Sequence, residues 1–346
     1  MKNTGVLLSL IILVIAYGVT QSEVQFEVRP SYTSNYYYDH SQVDTFFVDS
    51  TALFSSVNGP WDFSLAVAKS WFPNTMAETA VVNEMTLLYT LPISINIDMV
   101  FAPVAYAVYY PDNNYSGIAY GAEVSIVYDS LIDFREEIKG TIYSDIRPDT
   151  PYDRIIMNAG LTSRWDISPV TVLRHSLMFS YVQWQELTNN DGLTPNTTVT
   201  ATGLTIESIL SDAVSGSISV SYEKNSSSVE SILTVEDITL LETNSDSYTH
   251  ILSELHIPLY LGNLMAEPYF LYAVTSYDSR RAFKSVSTLG IDTVHSTCVK
   301  TGLNFKESLG ERHFITASVE YGLTDSNDFF EKGDGVTIQG GIVLNF

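Results

Sequence analysis

Charged side chains recur at every second position in several stretches of this sequence, and their spacing limits the chemistry open to them. Asp133, Arg135, Glu137 and Lys139 share one parity, and Arg154, Arg164 and Arg174 continue the bases along the two stretches that follow. Glu23, Glu27, Asp62, Glu84, Asp98, Glu123, Glu207, Glu223, Glu254 and Glu320 fall on the polar side of their own alternations, as do Arg29, Lys300 and Lys306. Groups dispersed in this way do not make one reacting centre. They suit a surface that attracts, orients and sorts charged solutes.

The arrangements that carry enzyme chemistry are missing from the sequence. Hydrolysis by a nucleophile needs a Ser or Asp beside a His base. His40, His175, His250, His256, His295 and His313 are scattered, and neither Gly-x-Ser-x-Gly nor His-Glu-x-x-His occurs. No Gly-rich phosphate loop and no metal-ligand spacing is present, so the expectation is a protein without catalysis or cofactor. The acidic stretch Asp325–Asp334 reads as a solvated loop, with loose cation binding as the lesser alternative. Asn114, Asn196 and Asn225 match the glycosylation sequon by chance. Cys298 is the single cysteine, which excludes an intrachain disulfide and predicts an inert thiol on a strand.

The elements that must position the charges are strands. From Val336 to the C-terminus, Val336, Ile338, Gly340, Ile342, Leu344 and Phe346 alternate with Thr337, Gln339, Gly341, Val343 and Asn345. The same period of two runs through His313–Leu323, Ile118–Asp129 and Glu23–Tyr32. Such strands are about ten to twelve residues long, which exceeds the usual soluble strand and matches a tilted bilayer crossing. Aromatics such as Trp61, Tyr89, Tyr128, Trp165, Tyr181, Tyr222 and Phe346 end many apolar faces, as at a membrane interface.

Bulk properties agree. Charged residues make up only 16% of the chain, the net charge is −23, and mean hydropathy is near zero without one long apolar segment after the N-terminus. Apolar atoms are thus spread thinly along the chain. The acidity makes nucleic acid an improbable partner, since phosphate neutralisation needs a basic surface. Residues 1–22 read as a cleaved secretory signal: Lys2, an apolar run Val6–Ala16 too short to span, then small residues up to Ser22, with Gly18 the alternative cleavage point.

The expectation is therefore an all-β protein. Residues 23–346 form a transmembrane antiparallel β-barrel of about sixteen strands, with 14 or 18 possible, since Ser231–Leu241 would add one hairpin. Short connections, such as 57–60 and 262–266, alternate with longer polar ones, such as 186–197, 225–248 and 278–296. Short periplasmic turns on one rim and long outer loops on the other follow. Pro103 and Pro258 inside predicted strands are assigned to bulges or the rim. In a ring, Arg135, Lys139, Arg154, Arg164 and Arg174 make a basic stripe on strands seven to nine, with most acids elsewhere. The stripe implies a transverse field; local pairing across strands is the alternative.

The signal segment, the alternation of short turns with long loops, and a last strand ending in Phe346 with Ile342 and Leu344 on its face resemble bacterial outer-membrane porins. The resemblance implies a general or weakly selective water-filled channel in the outer membrane for ions and small hydrophilic solutes. It implies surrounding membrane lipid and lipopolysaccharide, insertion by the barrel-assembly machinery reading Phe346, and a homo-trimer. Glu84, Asp98, Glu123, Arg135, Lys139, Arg154, Arg164, Arg174, Glu207, Glu254, Lys300 and Glu320 are the expected pore-lining residues, and the excess of acids predicts mild cation preference. The segment 110–115, where many porins carry a constricting loop, is short here. Constriction is then expected from 225–248 or 278–296. A plugged structural barrel whose outer loops bind a partner is the alternative.

Overall fold

A computed structural model describes residues 21–33, 45–71, 80–109, 116–130, 133–147, 153–185, 193–235, 238–243, 247–285, 288–310 and 312–345. The signal segment up to residue 20, the short connection 110–115 and Phe346 lie outside the described residues.

Eleven strands follow one another with each paired antiparallel to the next. They are β1 (Gln21–Thr33), β2 (Thr45–Asn58), β3 (Trp61–Trp71), β4 (Ala80–Ser94), β5 (Ile97–Tyr109), β6 (Gly117–Asp129), β7 (Phe134–Ile146), β8 (Arg154–Ser168), β9 (Thr171–Trp184), β10 (Asn196–Ser211) and β11 (Val214–Ser227). Next come β12 (Glu230–Val235) and β13 (Ile238–Thr243), which pair as a separate two-stranded sheet. The extra hairpin at Ser231–Leu241 thus exists but adds no strands to the ring.

The ring resumes with β14 (Tyr248–His256) and β15 (Leu259–Leu261), two pieces of one position between β11 and β16 (Leu264–Ser285). It ends with β17 (Thr288–Leu309), β18 (His313–Ser326) and β19 (Gly333–Asn345), and β19 pairs back onto β1. Counting β14 and β15 once, the barrel is closed and has sixteen strands, as the periodicity predicts. Closure pairs the backbone N–H and C=O groups that an open edge would leave bare, which is the condition for a sheet in hydrocarbon.

Burial along the strands is inverted relative to a soluble sheet. On β6 the large apolar residues Ile118, Tyr120, Val124, Ile126 and Tyr128 are exposed, while Ser125 and Val127 on the other face are buried. The apolar residues stand on the convex surface, and the small and polar ones crowd the concave one. Rings gather on the convex face beside the short turns: Trp61 and Tyr89 at 4.4 Å, and Phe134 between Tyr128 and Trp165 at 6.2 and 5.8 Å. This is an aromatic belt at the short-turn rim.

Local irregularities have local causes. The tight turns after β2 and β15 carry Gly59 at φ +60 and Gly262 at φ +64, where a side chain would be strained. Asp133 lies not on a strand but in the turn before β7, with φ +61, so it leaves the set of wall acids. Opposite Pro103, which has no N–H to give, the β4–β5 pairing lapses between Thr86↔Val104 and Tyr89↔Phe101. Pro258 falls in the break between β14 and β15. Within the segment 278–296, expected to be a loop, residues 278–285 and 288–296 instead form the far half of a hairpin of two 22-residue strands. Register shifts between Ser276 and Ser285 break its period of two while the two strands stay paired.

That hairpin extension carries a small packed knot with the 3₁₀ turn Phe329–Glu331. Phe283 and Phe330 meet edge to face at 5.1 Å, and the backbone N–H groups of Phe283 and Phe330 both donate to the buried Asp328 carboxylate. Arg280 pairs with Glu331 at 2.8 Å, and Lys332 with Asp325 at 2.9 Å. The acids of this segment are engaged by the protein's own groups. Burial pushes the Glu331 carboxyl above its ordinary range, against the pull of Arg280.

Candidate functional site

Residues paired directly across an antiparallel ladder point to the same face. Following the register from strand to strand puts Glu84, Asp98, Glu123, Arg135, Lys139, Arg154, Arg164, Arg174, Glu207, Glu254, Lys300 and Glu320 on the concave face together. Glu23, Glu27, Arg29, Asp62, Glu137, Glu223 and Lys306 join them. So do Asp49, Asp129, Asp145, Asp166 and Glu267, which sequence reasoning passed over. Asp129 stood on the polar side of a recognised alternation and was legible. Asp145 and Asp166 lie near the ends of β7 and β8, outside the alternations the sequence shows most clearly.

The bases of β7 to β9 do not stand alone. Lys139 reaches Glu123 at 2.6 Å, Arg154 reaches Asp145 at 2.8 Å, Arg164 reaches Asp166 at 2.9 Å, and Arg174 reaches Glu207 at 3.0 Å. The stripe is thus a set of local acid–base pairs, so the broad transverse field has little to sustain it. Arg135 faces Arg164 across β7–β8 and Asp129 across β6–β7. On the opposite wall Lys300 pairs with Glu320 at 3.1 Å, and Lys306 lies 4.0 Å from the Phe314 ring. What remains is a set of carboxylates with no hydrogen bond or ion pair among the described residues: Asp62, Glu84, Asp98, Asp129 and Glu137 on β3 to β7, and Glu23 on β1. Asp62, Asp98 and Asp129 stand close to the short-turn rim.

A second polar network spans β14 to β18. His256 Nδ1 lies 3.0 Å from Glu267, and its ring stacks on Tyr269 at 5.6 Å. Asn304 donates to the other Glu267 oxygen at 3.3 Å. The Tyr269 hydroxyl donates to Glu320 at 2.6 Å.

The concave wall also holds a hollow of about 420 Å³ between β4 and β8, lined by Glu84, Tyr106, Tyr143, Asp145, Arg147 and Arg154 with apolar patches from Val104 and Ile156. Among the described residues no group of three or more His, Cys, Asp and Glu side chains is arranged to hold a metal ion.

No family model and no curated protein sequence matches the chain. Solved structures match in fold. A bacterial polysaccharide outer membrane secretin aligns with a TM-score of 0.55 at 10% identity, over 95% of this chain and 99% of that one. OccAB3 of Acinetobacter baumannii aligns at 0.54 and 8% identity, over 95% and 100%. CdiB from Acinetobacter baumannii aligns at 0.55 and 14% identity, over 93% of this chain and 60% of that one. With the closed ring and inverted faces, these likenesses define the architecture as a porin-like outer-membrane β-barrel.

Proposed function

We propose that this protein is an outer-membrane porin: a water-filled channel for passive diffusion of ions and small hydrophilic solutes, mildly cation-preferring. The carrying observation is a concave wall rich in ionised side chains in a ring of sixteen strands. Rings of that size leave an aqueous passage rather than a filled core. The unengaged carboxylates of β3 to β7 support the cation preference. In this reading residues 1–22 are a cleaved signal, the barrel-assembly machinery recognises the last strand with Phe346, lipid and lipopolysaccharide cover the apolar belt, and the functional unit is a homo-trimer. Single-channel recording of the refolded protein in planar bilayers tests the central claim. Discrete, long-lived conductance steps are expected; a bilayer that stays silent with correctly folded protein overturns it.

A further inference from the structure

One rung of the barrel crosses six strands: Glu84 pairs with Tyr106, Tyr106 with Ala119, Ala119 with Asp145, Asp145 with Arg154, and Arg154 with Trp184. The wall hollow lies along this rung, with Glu84 at one end and, at the other, Arg147 and Arg154 with the Asp145 carboxylate they share. Ala119 is the low point between them, and Tyr106 and Tyr143 flank it.

The two ends offer complementary chemistry. Arg154 engages Asp145 through Nε at 2.8 Å and lies over the Trp184 ring at 5.4 Å. Neither of its terminal nitrogens makes a hydrogen bond among the described residues. That leaves the outer edge of the guanidinium fork, two parallel N–H donors on a residue that lines the hollow, in the pattern that takes a carboxylate. Arg147 adds a second guanidinium, 3.5 Å from Asp145, and its stem lies close to Gly117, where an added Cβ would stand 3.1 Å from Arg147 Cγ. Glu84, by contrast, is exposed and unengaged, and a carboxylate of that kind is free to take an ammonium group.

We propose that this hollow is a wall subsite for short zwitterionic peptides, with the terminal ammonium at Glu84 and the terminal carboxylate at Arg154. The proposal deepens the porin reading and rests on it for its biological sense. The span selects the class of ligand. Glu84 and Arg154 are four strand spacings apart, roughly 19 Å between backbones. Two side chains reaching inward bring their charges to within the order of 10 Å, the length of about three extended residues. A free amino acid is too short to bridge the two ends. A simple anion leaves Glu84 without a partner.

Calorimetric titration of the refolded barrel in detergent micelles with trialanine tests the assignment. Saturable binding is expected. Acetylating the peptide amine or amidating its carboxylate should each weaken binding at least about tenfold, and alanine should bind far more weakly. Glu84→Gln should erase the discrimination against the acetylated peptide. Arg154→Lys, which keeps the charge but loses the fork, should erase that against the amidated one. Heat-modifiable gel mobility confirms that both variants fold. Absence of saturable binding, equal affinity for either blocked peptide, or equal affinity for alanine overturns the proposal. Conductance of the same preparation separates the two claims: an open channel that ignores trialanine refutes the subsite alone, and a silent barrel that binds it refutes the channel alone.

Discussion

The Tyr269 hydroxyl reaches Glu320 at 2.6 Å across the strand between them, and its ring passes over Gly302, where a Cβ would stand 2.4 Å from ring atoms. Gly302 pairs with both residues, with Tyr269 on β16 and with Glu320 on β18. The missing side chain is the space through which the tyrosine makes its bond.

Gly302→Ala should therefore force the ring aside and cost about 1 kcal/mol through loss of the Tyr269–Glu320 bond, and most of that cost should disappear when Tyr269→Phe has already removed the bond. Gly140→Ala is the control, because nothing lies within 4 Å of its added Cβ. Urea unfolding in lipid vesicles measures all four variants. Equal losses at Gly302 and Gly140 would remove the argument from fit.

Val319 pairs with Ile338 and is 44% exposed on the convex face, whereas its neighbour Ser318 pairs with Gln339 on the concave one. Val319→Arg should destabilise the barrel by roughly 2–4 kcal/mol, the range for a cation at the bilayer midplane. Ser318→Arg should cost far less, because water covers that face. The same vesicle assay compares them, and similar losses would show the faces to be reversed.

Much of this geometry was legible in the sequence because a period of two needs no knowledge of partners. Val319 and Ser318, or Glu84 and Asp98, are sorted by parity alone. Partnership is another matter. Lys139 stands opposite Ser125 and reaches diagonally to Glu123, which itself stands opposite Thr141. Register sets that diagonal, and the sequence of one strand does not contain it. For the same reason a stripe of bases became a set of pairs, and the Gly302–Tyr269 fit stayed hidden. The extension of β16 and β17 was lost for a different cause: the register shifts after Ser276 stop the alternation while the pairing continues.

The outer knot should respond to pH through Glu331. Burial raises its carboxyl pKa in the folded state, so the folded segment holds the proton more tightly than the unfolded one. Docking of the turn is then fully supported below the ordinary carboxylate range and weakens as pH rises through the raised value. Hydrogen exchange across 327–333 should show better protection at about pH 4.5 than at neutrality, and Glu331→Gln should flatten the difference. A profile unchanged by that substitution would place the titrating group elsewhere.

Cys298 stands on the concave face between Ala273 and Thr324, and it is the only cysteine of the chain. A membrane-impermeant, charged thiol reagent small enough for the channel should modify it in intact cells. A reagent too bulky for the channel should leave it unmodified. Mass spectrometry of the isolated protein reads the result. An unmodified Cys298 in folded, surface-accessible protein would argue for a closed lumen.

Selectivity follows from what the pairing leaves over. Lys139, Arg154, Arg164, Arg174 and Lys300 each hold a carboxylate, so their charges largely cancel within a few ångströms. Asp62, Glu84, Asp98, Asp129 and Glu137 hold none, and Arg135 is the base nearest to them by register. The surplus is negative and concentrated on the β3 to β7 wall, so cations should accumulate there. Screening limits the reach of this surplus to about 8 Å at physiological salt, so the preference should be mild there and grow as salt falls. Reversal potentials across a KCl gradient measure it. Asp62→Asn, Glu84→Gln and Asp98→Asn together should abolish most of the preference, whereas Glu123→Gln should raise anion permeation by releasing Lys139. If the triple variant keeps the wild-type reversal potential, the unengaged carboxylates do not govern permeation.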